Sequence, residues 1–223
     1  MRDRGQVLLI GGEKGGVGKS TITTNIAVEI SRRQTQVIIL DTDPQQTSLH
    51  WTERRNELIE ESEIVGSKIS CVFKDGNIKD VVKDFVTKYD LVIIDASGRD
   101  SKSLRTGLAV ADKFLCPIRA SQADLETLPH ICQLIDTAKD FNENLVSKAV
   151  ISCGSTNPSV NEAEQAKSLL GNFTAYLTLL QTTIMDRKVY RDALLQGAGV
   201  VELNNNKASS EIVDLVNELL GGK

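Results

Sequence analysis

Near the amino end, the apolar run Val7-Leu8-Leu9-Ile10 passes directly into Gly11-Gly12-Glu13-Lys14-Gly15-Gly16-Val17-Gly18-Lys19-Ser20-Thr21, and then into an amphipathic stretch reaching Arg32. A strand, a glycine loop and a helix in that order make a cradle for phosphate. Glycines at 15, 16 and 18 allow backbone angles and close approach denied to other residues, while the helix amino terminus adds partial positive charge. Lys19 would neutralise the β and γ phosphates, and the Ser20 hydroxyl would hold Mg²⁺.

Working outward, short apolar runs alternate with helix-period segments along the chain. Strands are expected at Val7–Ile10, Val37–Leu40, Ile69–Phe73, Leu91–Ile94, Lys113–Ile118, Val146–Ser152 and Ala175–Leu180. Helices are expected at Ser20–Arg32, Gln46–Ile59, Ile78–Val86, Leu104–Ala111, Leu125–Asp140, Asn161–Leu170, Arg187–Leu195 and Ser209–Leu220. This rhythm predicts an α/β fold: a doubly wound, mostly parallel sheet with helices on both faces, binding its ligand at the carboxyl ends of the strands. With no repeat, linker or low-complexity tract, residues 1–223 read as a single domain. With the phosphate loop so near the start of the sequence, no amino-terminal helix-turn-helix is expected.

Composition narrows the function classes. The 223 residues carry 40% hydrophobic and 25% charged side chains, values of an ordinary globular chain. Lys and Arg number 26 against 30 Asp and Glu, a net charge of −4, so nucleic acid could be met only by a local basic patch. The candidate is Arg187, Lys188 and Arg191, where positions 187 and 191 share a helix face; ion pairing with Asp186 and Asp192 is the alternative. Cys71, Cys116, Cys132 and Cys153 form no CxxC pair and read as buried thiols of a reducing compartment. His50 and His130 support neither a zinc site nor a triad. No signal or membrane segment is evident, and a cytoplasmic location is expected.

Two further segments carry chemistry. Asp41-Thr42-Asp43-Pro44-Gln45 follows the second strand, where a carboxylate can hold the attacking water or the Mg²⁺ shell; an Asx turn capping the next helix is the alternative. Leu91-Val92-Ile93-Ile94 ends in Asp95-Ala96-Ser97-Gly98, the form of a Walker B strand whose aspartate steadies Mg²⁺ through its water shell.

A strict GxxxxGK[ST] search fails by one residue, because Glu13 stands where the first glycine belongs. KGGVGKST (14–21), with an extra lysine five residues before Lys19, resembles the ParA/MinD family of dimeric P-loop ATPases. DPQQTSLHW (43–51) resembles the corresponding run of small plasmid-type ParA proteins. The resemblance implies that Lys14 reaches across a homodimer to the partner's nucleotide, that Asp43 positions the water, and that Asp41 supports the metal shell or the loop. Residues Lys14 to Thr21, Val17 included, would contact the nucleotide; Ser20, Asp41 and Asp95 would serve the metal; Gly98 would belong to the second switch loop. It further implies ATP and Mg²⁺ as cofactors, slow hydrolysis, nonspecific DNA binding with nucleoid association, and a ParB-like centromere-binding partner. Trp51 reads as packing, with a nucleotide-sensitive surface as the alternative, and Asn157 as an ordinary loop residue rather than an adenine contact.

The carboxyl-terminal helix argues against the membrane: Ile212, Leu215, Val216 and Leu219 fit packing on the sheet, while Glu211, Asp214 and Glu218 would be repelled by anionic lipid. The expected function is ATP-driven partition of plasmid or chromosome. The rivals are positioning of a protein cargo by the same cycle, or a metabolic P-loop enzyme of the dethiobiotin-synthetase type.

Overall fold

Alternation along a single strand explains the layers. In β1 (Gln6–Ile10), Val7 and Leu9 enter one apolar cluster and Leu8 and Ile10 the other, so both faces of the sheet must be covered. The computed structural model describes residues 4–156, 168 and 170–221. Six further strands follow: β2 (Val37–Asp41), β3 (Ser70–Phe73), β4 (Leu91–Asp95), β5 (Lys113–Ile118), β6 (Val146–Gly154) and β7 (Thr178–Met185). They lie in the order β3-β2-β4-β1-β5-β6-β7, and every pairing is parallel rather than most of them.

The helices are α1 (Lys19–Arg32), α2 (Thr47–Glu60), α3 (Lys79–Phe85), α4 (Lys102–Leu108), α5 (Gln122–Leu125), α6 (Leu128–Lys139), α7 (Lys188–Leu195) and α8 (Asn206–Leu220). Val82, Leu104, Ile131 and Ile135 bring α3, α4 and α6 onto one face. Ile22, Ile26, Trp51, Tyr190, Ile212 and Leu215 bring α1, α2, α7 and α8 onto the other. β1 lies between β4 and β5, where the chain stops building toward β3 and begins building toward β7. The crevice of a doubly wound sheet opens at the carboxyl end of such a strand, which is where the glycine loop begins.

Three expectations needed correction. The last strand is Thr178–Met185 and not Ala175–Leu180; it is an edge strand in which only Leu180 and Ile184 are buried, so Gln181-Thr182-Thr183 conceal it from a search for apolar runs. The helix expected over Leu125–Asp140 begins only at Leu128, as α6 with Pro129 in its first turn, and Leu125 ends the separate short helix α5. The terminal helix starts three residues early because the Asn205 side chain accepts from the Ala208 amide at 3.0 Å and caps it. The helix expected at Asn161–Leu170 falls largely outside the described residues, as does Asn157.

Ile212, Leu215, Val216 and Leu219 are buried, as their pattern requires. Glu211 and Glu218 do not form a free acidic face. Glu218 accepts from the Gln181 and Thr182 amides at 2.6 and 3.0 Å, and Glu211 accepts from the Met185 amide and the Tyr190 hydroxyl. Both clamp α8 to the edge strand through its backbone amides. Cys116 and Cys132 are buried but Cys71 and Cys153 only half so, all four as free thiols. Among the described residues no helix is long and apolar enough to cross a membrane.

Candidate functional site

Gly16 and Gly18 take φ of 74° and 84°, the left-handed region that other residues enter at a cost. Gly18 immediately precedes α1 and offers no side-chain cap, so a ligand can meet the amides of the first turn. Val17 turns its side chain into the core, 2% exposed, and can serve a ligand only through its backbone. Lys19 is 7% exposed and donates from Nζ to the Lys14 carbonyl at 2.6 Å. Burial lowers its pKa, while Asp95 and Asp43 pull it back up. The result is a cation fixed at the base of a cleft of about 590 Å³, lined by the glycine loop, Ser20, Thr21, Asp43, Gly98 and Arg99 among others. Lys14 does not line this cleft. It is half-exposed and has no ion-pair partner among the described residues.

β2 and β4 end side by side on Asp41 and Asp95, paired in register. Asp41 is buried; Oδ1 accepts from the Asp43 amide at 3.0 Å and Oδ2 from the Ser48 and Leu49 amides at 3.0 and 3.1 Å. Its carboxylate ties the loop to the start of α2, which favours loop support over metal contact. Burial pushes its pKa up in spite of these amides. Asp43 forms the Asx turn, its Oδ1 accepting from the Gln45 amide at 2.9 Å, and also lines the cleft.

Asp95 is 1% exposed. Its Oδ2 accepts from the Ser48 hydroxyl at 2.6 Å, and its Oδ1 is buried with no hydrogen-bond partner among the described residues. Burial, then Asp41, push the carboxyl up to about 7 against the Ser48 and Ser20 hydroxyls and the Lys19 ammonium. A buried, unsatisfied carboxylate oxygen beside Ser20 fits an octahedral Mg²⁺ that keeps several waters. Among the described residues no cluster of three or more His, Cys, Asp or Glu could cage a metal.

The loop after β4 closes the cleft. A Cβ on Gly98 would meet the Lys14 carbonyl oxygen at 3.0 Å, so this loop lies on the phosphate loop. Beyond it, Arg105 donates through Nε and Nη2 to Asp100, and His130 on α6 hydrogen-bonds Glu13, the residue that replaces the usual first glycine. Arg119, which follows β5, donates to the Gly16 carbonyl.

Across Gly16 and Gly18 lies a second cavity of about 230 Å³, lined in part by Ser152, Cys153, Met185, Asp186 and Arg187. The Ser152 hydroxyl is buried with no partner among the described residues. Sequence reading missed Ser152 and Met185 together with Ser48, Arg99 and Arg119, and gave Cys153, Asp186 and Arg187 no place beside the glycine loop. Ser48 stood inside the quoted DPQQTSLHW run, but the others carry no local signal because they meet only through the parallel crossovers.

The expected basic patch is neutralised from within. Arg187 pairs with Glu211 at 2.7 Å, Lys188 with Asp192 at 2.8 Å and Arg191 with Asp186 at 2.6 Å. Arg187 and Arg191 also line the second cavity. For Lys188 and Arg191 this is the alternative, paired reading, while Arg187 takes Glu211 from another helix. Trp51 is wholly buried, with Nε1 on the Ala198 carbonyl at 3.3 Å and Arg55 over its ring, which is packing.

Residues 6–148 match the ATPase MipZ family. The chain is 26% identical over 220 residues to the maintenance of carboxysome distribution protein A of Halothiobacillus neapolitanus, covering 96% of this chain and 95% of that protein. It is 24% identical over 181 residues to the chromosome partitioning protein ParA of Myxococcus xanthus, covering 66% and 64%. Among solved structures, the ATP complex of an McdA variant from Cyanothece superposes with a TM-score of 0.81 at 17% identity, covering 98% of this chain and 97% of that one. The strand-loop-helix cradle, the parallel sheet and the matched span agree: this chain belongs to the MipZ family of ParA/MinD-type P-loop ATPases.

Proposed function

We propose that the chain binds ATP and Mg²⁺ in the 590 Å³ cleft, dimerises face to face on ATP, and uses hydrolysis to release the dimer, so that a cargo is moved or spaced along a surface. Lys19 would neutralise phosphate, Ser20 would ligate Mg²⁺, Asp95 would hold one of its waters, and Asp43 would orient the attacking water. Asp41 would keep Asp43 in place through its backbone amide. Magnesium, when bound, would supply charge neutralisation at the phosphates.

The observation that carries the reading is Lys14: a half-exposed ammonium on the phosphate loop, absent from its own cleft and unpaired among the described residues. Such a group would serve a second copy's nucleotide. Across nearly its whole length the chain is similar to a protein named for maintaining carboxysome distribution. A protein assembly is therefore the first candidate cargo, and plasmid or chromosomal DNA with a ParB-like partner the second. The surface would be nonspecific duplex DNA, giving nucleoid association, through residues other than the paired Arg187, Lys188 and Arg191.

Fluorescence anisotropy of a random-sequence duplex at near-physiological salt tests this, with ATP, ADP or no nucleotide. Binding with ATP alone supports the cycle. An ATP-dependent dimer that never binds DNA would move the surface to a protein.

A further inference from the structure

Lys19 and Arg99 are the cations that line the cleft. Lys19 is buried and tied to the Lys14 carbonyl, already set to bind a ground-state phosphate. Arg99 is exposed and makes no hydrogen bond or ion pair among the described residues. Asp75 feels its charge, yet that carboxylate already accepts from the Gly76 amide at 2.6 Å and the Ser103 hydroxyl at 2.8 Å through Oδ1.

The residues on either side of Arg99 are held. Gly98 abuts the backbone of Lys14 and Gly15. Asp100 is gripped by the Arg105 fork and lies 3.9 Å from His130 Nε2, whose Nδ1 is bonded to Glu13 of the phosphate loop. Ser101 then caps α4 through the Leu104 amide at 3.1 Å. The loop is thus pinned on both sides of Arg99, the one charged side chain it presents to the cleft. A guanidinium in that place stays charged and offers five donors in a fork suited to phosphate oxygens.

We propose that Arg99 is a catalytic residue of the ATPase, contacting the γ-phosphate of the nucleotide held in its own chain's cleft. In the reaction the water oxygen bonds to the γ-phosphorus and the bond to the bridging oxygen breaks. That electron pair leaves with ADP, and the water's proton ends on the released phosphate. Arg99 stabilises the charge that spreads over the γ-phosphate oxygens as this happens. The inference rests on the reading of the cleft as the ATP site.

The test is single-turnover hydrolysis of radiolabelled ATP with Mg²⁺, alongside equilibrium ATP binding, for wild type, Arg99→Ala, Arg99→Lys and Lys19→Ala. Arg99→Ala is expected to slow hydrolysis on the order of 10² to 10³-fold, the effect of removing one transition-state donor, with ATP affinity little changed. Arg99→Lys should fall between, because charge without the fork recovers part of the effect. Thermal unfolding should be unaltered, since the side chain is exposed. Hydrolysis by Arg99→Ala within about twofold of wild type, with Lys19→Ala unable to bind ATP, would overturn the role of Arg99 while leaving the cleft intact. Wild-type ATP affinity in Lys19→Ala would overturn the cleft reading itself, and this proposal with it.

Discussion

A Cβ built on Gly98 would stand 2.9 Å from the Gly15 amide nitrogen and 3.0 Å from its Cα. The loop that follows β4 therefore rests on the backbone of the phosphate loop with no room for a side chain between them. The two loops are one mechanical unit in this state.

Gly98→Ala separates them by steric contact, since Gly98 is not among the residues in the left-handed region. ATP affinity is expected to fall about tenfold, equivalent to ~1.4 kcal/mol, with the fold retained. Titration with a fluorescent ATP analogue checks this; unchanged affinity would show that the loops part freely.

Arg55 is 1% exposed and meets Glu202, 13% exposed, through both terminal nitrogens at 2.7 and 2.8 Å, while also donating to the Gly197 carbonyl at 3.0 Å. This pair fastens α2, the helix that follows Asp43, to the segment between α7 and α8. Glu202→Ala leaves a buried guanidinium without its counter-charge and should lower unfolding free energy by about 3 kcal/mol. Urea denaturation measures it, and a loss under about 1 kcal/mol would mean that water reaches the pair.

Asp95 gives a pH signature. The carboxyl is pushed from an ordinary 3.8 up to about 7 in the folded chain, so between these values the unfolded chain releases its proton while the folded chain keeps it. The stability contributed by the neutral form is complete below 3.8 and lost as pH rises through 7. Asp95→Asn cannot ionise. Its nucleotide-free stability relative to wild type should climb on the order of 1 kcal/mol per pH unit from about pH 4 to 7 and then level off. Parallel thermal melts at pH 5 and pH 8 test the sign: a larger advantage for the variant at pH 5 would refute it.

The phosphate loop was legible because its chemistry is local: glycines, a lysine and a hydroxyl within eight residues, bracketed by an apolar strand and an amphipathic helix. The central strands were legible for the same reason, being continuous apolar runs buried on both faces. What escaped was made by distance. Ser48 meets Asp95 across 47 residues, and His130 meets Glu13 across 117, through crossovers whose geometry no short window contains. The edge strand β7 escaped because Gln181, Thr182 and Thr183 interrupt its apolar run, leaving only Leu180 and Ile184 buried. The basic cluster at 187–191 misled because its counter-ions include Glu211, which arrives from another helix.

The central claim is that Lys14 completes the site of a second copy. Sedimentation velocity of wild type and Lys14→Ala, each with Mg-ADP or with Mg²⁺ and a non-hydrolysable ATP analogue, tests it most directly. The account predicts a dimer for wild type with the analogue, a monomer with ADP, and a monomer for Lys14→Ala with either. Dimerisation of Lys14→Ala with the analogue to the wild-type extent would contradict it.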